Sequence, residues 1–204
     1  MKILLLSVLA VAMIGLMVPS AFGEVVLKLD DMGGDCIQFG IWDKESKTCT
    51  LSGDISDSIR FGSNNIILDG NNFKISTCDN VDYCIKIDTR FGITIMNIDT
   101  DGLIRVHDSN NVIIQNSQLY LLELKNSNQN EINNNQFTGE LGLISIEKSN
   151  DNLIKNNVLS GKNGIWVTQY SQNNIIQNNE LNNSGTALLA ESFVSNKFIG
   201  NKIS

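Results

Sequence analysis

The chain has 204 residues, with 22 acidic and 15 basic side chains, a formal net charge of −7 and 42% hydrophobic residues. That length suits a single domain. An acidic surface repels phosphodiester backbones and anionic lipid, which argues against nucleic acid or a membrane surface as a partner.

The N-terminus reads as an export signal. Lys2 is followed by an uncharged apolar run over 3–18, then Pro19, and Ala21-Phe22-Gly23 places small residues at the −3 and −1 positions before Glu24. The run is short for a membrane span, and no second run follows. Residues 1–23 are therefore expected to be a signal peptide. The mature chain is expected to have no membrane span and to reside outside the cell or at its surface.

Residues 24–61 are expected to form an N-terminal cap and opening segment. Four cysteines in an exported chain predict disulfides. Three pairings are open, and the short local loops favour Cys36–Cys49 and Cys78–Cys84. A four-thiolate metal site would want C-x-x-C spacing, which is absent. No cofactor is expected.

Near residue 62 the chain changes character. Asparagine is absent before Asn64 and abundant after it. The phrase "SNDNLIKNNVLSG" at 149–161 returns as "SQNNIIQNNELNN" from Ser171. Taking Ile66, Ile93, Val112, Asn130, Asn152, Asn174 and Asn196 as equivalent positions, the last three follow at 22-residue intervals. Apolar residues recur two and seven places later, as Ile154 and Leu159 do after Asn152. Serine sits three places before in Ser63, Ser109, Ser127, Ser149 and Ser171.

A fixed period near 22 means stacked units, none of which buries its apolar face alone. The alternation within a unit is that of strands, not helices. Residues 62–204 are thus expected to form an all-β fold: a single-stranded, right-handed parallel β-helix of about seven coils, with the disulfide-bearing segment at its start. A leucine-rich repeat has a similar period but wants leucine where Asn130, Asn152 and Asn174 stand. Asparagine has two tasks in a β-helix. It tolerates the left-handed conformation at sharp corners. Stacked copies such as Asn135, Asn157, Asn179 and Asn201 can also form a structural ladder of amide hydrogen bonds along the axis.

Three stretches carry a family resemblance. "SNNIILDGNNFKI" (63–75), "GIWVTQYSQNNIIQNNEL" (164–181) and "CIQFGIWDKESKTCTLSGDI" (36–55) resemble the NosD-like right-handed β-helix repeat proteins and the Cys-bearing opening segment of secreted archaeal members. The resemblance covers about residues 36–204. It implies a fold similar to that of carbohydrate-binding proteins and sugar hydrolases, and the family name implies copper delivery. Copper wants clustered sulfur and imidazole ligands; here the mature chain offers His107, Met32, Met96 and cysteines expected to be oxidised.

The densest charged stretch, 79–108, holds Asp79, Asp82, Asp88, Arg90, Asp99, Asp101, Arg105, His107 and Asp108. Paired carboxylates there could serve as acid and base. However, "NIDTD" falls short of an N-T-D motif, and no G-H-G or R-I-K follows. A structural account also exists. With Ile104 and Val106 inward, as with Leu122 and Leu124 and with Ile144 and Ile146, Arg105, Glu123 and Ser145 form one outward column and His107, Lys125 and Glu147 the next. Arg105–Glu123 and Lys125–Glu147 pairs follow. The later coils read as shifted, with Ile165 and Val167 alternating and Trp166 turned outward.

An exposed Trp166, with Tyr170 nearby, matches the apolar face of a sugar ring. Trp166, Tyr170, Arg105 and His107 are the candidate ligand face. The leading expectation is a non-catalytic surface protein that binds a polysaccharide or another surface protein. The alternatives are a polysaccharide lyase or hydrolase, and a purely structural envelope or adhesion component. Self-association through the last coil, around Phe198 and Ile203, is a further expectation.

Overall fold

The computed structural model describes residues 24–76, 83–139, 144–183, 185–191 and 195–204. The expected signal peptide at 1–23 lies outside them. Three sheets, A, B and C, run the length of the molecule, with eight, nine and seven strands, parallel throughout except for one hairpin in sheet B. Each pass of the chain contributes one strand to each sheet in the order A, B, C. One such pass is Leu121–Lys125, Glu131–Asn133 and Gln136–Phe137; the next is Ile144–Glu147, Leu153–Lys155 and Val158–Gly161. The stack is a β-solenoid of about six full turns, and the connection rule for parallel strands gives it a right hand.

The interior follows from the alternation. In sheet A the register aligns Ile104, Leu122 and Ile144, and likewise Val106, Leu124 and Ile146. In sheet B it aligns Ile95, Ile114, Ile132, Ile154 and Ile176. Sheet C supplies Leu119, Phe137, Leu159 and Leu181. All of these are buried in one continuous core. The register does not shift in the later coils: Ile146 pairs with Val167 and Ser145 with Trp166. A one-residue slip would turn the buried isoleucines outward, so Trp166 extends the Arg105–Glu123–Ser145 column.

The opening segment is continuous with this stack. Val25–Leu27 pairs in parallel with Ile59–Phe61 in sheet A. Gly40–Asp43 and Thr48–Leu51 form an antiparallel hairpin, and its second strand stacks in parallel on Ile67–Asp69. Cys36 and Cys49 are joined, with Cα atoms 5.9 Å apart. Cys84 is also disulfide-bonded; its expected partner, Cys78, lies outside the described residues. Breaking the first bridge with Cys36→Ser and Cys49→Ser should cost about 3 kcal/mol, the chain-entropy value for a loop of roughly 15 residues. Urea unfolding of the double variant measures this, and an unchanged midpoint would show that the hairpin needs no staple. At the other end, Phe198 packs against the core, while Ile199 and Ile203 are 49% and 57% exposed.

The corners divide asparagine's two tasks between adjacent positions. Asn116, Asn134, Asn156 and Asn178 adopt φ between 53° and 55° at the corner between sheets B and C. Their successors point inward. Asn135 Nδ2 donates to Asn157 Oδ1 at 3.1 Å, Asn157 to Asn179 at 3.0 Å, and Asn179 to Asn201 at 3.0 Å. A second ladder, which sequence reading missed, runs through Asn130, Asn152, Asn174 and Asn196, each step at 3.0 Å. A third is built of serine hydroxyls: Ser127, Ser149 and Ser171 each accept the backbone N–H of the serine one coil earlier. The signal for both was present in the recurrence of these residues at fixed positions.

Candidate ligand-binding face

The outward side of sheet A collects the charged and aromatic side chains. Its register sets Arg60, Lys86, Arg105, Glu123, Ser145, Trp166 and Leu189 in one column, and Asp88, His107, Lys125, Glu147 and Thr168 in the next. Each step is one strand spacing, about 4.8 Å.

At the N-terminal end of this face the side chains interlock. Arg60 Nε lies 2.8 Å from Glu24 Oε2, and the Tyr83 hydroxyl donates to Glu24 Oε1 at 2.9 Å. Partial burial opposes ionisation of Glu24, but the hydrogen bonds from Arg60 and Tyr83 outweigh it and hold this carboxyl below its ordinary range. Partial burial, reinforced by the bond to Glu24, pushes the Tyr83 phenol up. Lys86 Nζ and the Arg105 guanidinium each sit 5.4 Å from the centre of the Tyr83 ring, within cation–π range. Lys86 also bonds Asp88 at 2.9 Å, and that bond lifts the lysine above its ordinary range.

Further along, Lys125 pairs with Glu147 at 3.0 Å and Arg105 approaches Glu123 at 3.8 Å. His107 leaves its own column and brings Nε2 to 3.0 Å from Glu123. Such half-exposed pairs contribute at most about 1 kcal/mol each. Trp166 is half-buried between Ser145 and Leu189. It stands three strand spacings from Arg105, about 14 Å. Tyr170 is 81% exposed at the corner that follows, at φ 64°.

The rest of the charged stretch disperses. Asp99 stands on sheet C opposite Lys74, and Asp101 pairs with Lys74 at 3.2 Å. Arg90 spends its Nε on the Phe61 carbonyl at 3.0 Å. Asp108 occupies a corner at φ 50°. Asp79 and Asp82 lie outside the described residues. Among the described residues, therefore, Asp88 and Asp99 belong to different faces and form no acid–base pair.

One feature of the face escaped sequence reading. Five side-chain polar atoms among the described residues are buried without a hydrogen-bond partner. Four of them belong to this face: Asp88 Oδ1, Trp166 Nε1, and Arg105 Nε and His107 Nε2, whose approaches to Glu123 are ion-pair contacts without hydrogen-bond geometry. A buried polar atom left unmade costs about 1–3 kcal/mol. No sequence signal predicts this, because it depends on how neighbouring coils shade each other's side chains.

A family model described as periplasmic copper-binding protein (NosD) matches residues 29–204. No curated protein and no solved structure matches the chain. The residues do not fit the copper of that description. Among the described residues, no three His, Cys, Asp or Glu side chains converge to hold a metal. Met32 is half-exposed in the opening segment, Met96 faces outward from sheet B, and His107 faces outward from sheet A. Cys36, Cys49 and Cys84 are disulfide-bonded. No helix among the described residues is long and apolar enough to cross a membrane.

Proposed function

We propose that this chain, which belongs to the NosD family, acts on the extracytoplasmic side as a non-catalytic protein that binds glycans across the outward face of sheet A. The observation that carries this reading is the gathering of Lys86, Arg105, His107 and the half-buried Trp166 indole on that one outward face. Arg105, Lys86 and His107 suit an acidic sugar, and the half-buried Trp166 indole offers an apolar contact for a ring face. Tyr170 lies at the rim. The periplasmic description of the family and the Cys36–Cys49 bridge support an oxidising compartment.

The test is a glycan array and a polygalacturonate pull-down with residues 24–204. Acidic polysaccharide is expected to be retained without release of reducing or unsaturated ends. Trp166→Ala should raise Kd about tenfold, equivalent to about 1.4 kcal/mol, with the melting temperature little changed. Sugar release, or no retention of any glycan, would overturn the proposal. A large loss of melting temperature in Trp166→Ala would make the indole a packing residue.

A further inference from the structure

We propose that the corner between sheets B and C carries a second binding site, for uncharged oligosaccharides, independent of the sheet A face. An open groove of about 460 Å³ runs along this corner over three coils. Two rails line it. One is the corner column Asn116, Asn134 and Asn156; the other is the outward strand column Gln118, Gln136 and Val158. All six side chains are exposed.

Backbone geometry explains only the first rail. Asn116, Asn134 and Asn156 sit at φ 53–55°, where asparagine is favoured. Gln118 and Gln136 are ordinary strand positions, where nothing in the backbone asks for an amide. Together the rails present five primary amides whose side chains make no hydrogen bond among the described residues. One residue behind, Asn135 Nδ2 and Asn157 Nδ2 are each shared between a neighbouring amide and a carbonyl. The chain therefore separates amides that hold the fold from amides that are open.

The groove is also electrically neutral, in a chain of net charge −7. Charge borders this uncharged lining: Asp99 stacks on Gln118 at one end, Glu180 pairs with Lys202 at 3.5 Å beyond the other, and Lys155, next to Asn156, is paired with Glu131 at 2.9 Å.

Chemistry selects the ligand. Each amide offers two donors and a two-lone-pair acceptor, the set that neighbouring sugar hydroxyls require. Val158, 37% exposed, offers an apolar contact for a ring face. A carboxylate or ammonium group would find no counter-charge in the lining itself, and desolvating it unpaired is costly. Both rails repeat at about 4.8 Å, so an extended chain laid along the axis meets an Asn–Gln amide pair at two successive coils and Asn156 beside Val158 at the third.

The experiment titrates residues 24–204 with neutral hexasaccharides of glucose, mannose and N-acetylglucosamine, and follows side-chain amide resonances by NMR. At least one hexasaccharide is expected to shift the amide signals of Asn116, Asn134, Gln118 and Gln136. Its affinity should be unchanged between low and high salt, because the site holds no charge to screen. Gln118→Ala with Gln136→Ala should weaken binding at least tenfold, while Trp166→Ala leaves it intact. Gln136→Glu, a near-isosteric change at an exposed position, should weaken it similarly and serves if the double variant misfolds. The proposal is overturned if no neutral hexasaccharide shifts these signals. It is also overturned if binding survives both groove variants, or is lost in Trp166→Ala, which would assign the sugar to sheet A.

Discussion

Asn157→Leu should destabilise the protein by about 4 kcal/mol, although leucine is close in size and more apolar. The side chain holds the ladder in both directions. Its Oδ1 accepts from the Asn135 backbone N–H at 2.9 Å and from Asn135 Nδ2 at 3.1 Å. Its Nδ2 donates to the Ile132 carbonyl at 2.9 Å and to Asn179 Oδ1 at 3.0 Å. Leucine removes all four, each contributing about 1 kcal/mol, and orphans the buried Asn135 backbone N–H, which adds to the cost. For a domain of this size that corresponds to roughly 10 °C in melting temperature. The neighbouring Asn156→Gly is the control: at φ 55° glycine is at ease, and no intrachain bond is lost. Urea denaturation of the two variants side by side decides the matter. Equal midpoints would mean that the ladder contributes nothing beyond the corner conformation.

Phe137→Ala should cost about 3–5 kcal/mol, the range for emptying a buried aromatic site. Phe137 is fully buried in sheet C, stacked between Leu119 and Leu159. The strands above and below are fixed by their own hydrogen bonds, so the cavity cannot collapse. Phe137→Leu, which installs the residue that adjacent coils carry, should cost about 1 kcal/mol. The comparison separates lost volume from lost shape. Similar losses for Ala and Leu would indicate that the ring itself, rather than filled space, is what this coil requires.

Much of the scaffold was legible because a solenoid repeats its constraints. The alternation around Ile154 and Leu159 identifies strands, the 22-residue interval gives the stack, and the inward pairs Ile104/Val106 and Leu122/Leu124 fix the sheet A register. The Asn135–Asn157–Asn179–Asn201 column could be placed on the same grounds. Other features were not legible in this way. Thr89, Lys148 and Gln169 hold left-handed corners at φ 49–53°, with no residue preference announcing it, because stacking on the coils to either side overrides local propensity.

The sequence by itself determined the fold, its pairing and its family, since each depends on residues compared at a fixed interval along the chain. Tertiary structure alone decided which polar groups are satisfied. It turned His107 onto Glu123, sealed Trp166 Nε1 and Asp88 Oδ1 without partners, and left the amides of Gln118 and Gln136 open. Hydrogen-bond satisfaction is set by angles and shading among three or four neighbours from different coils. The one-dimensional repeat records which residues stack; it does not record how their side chains turn once stacked.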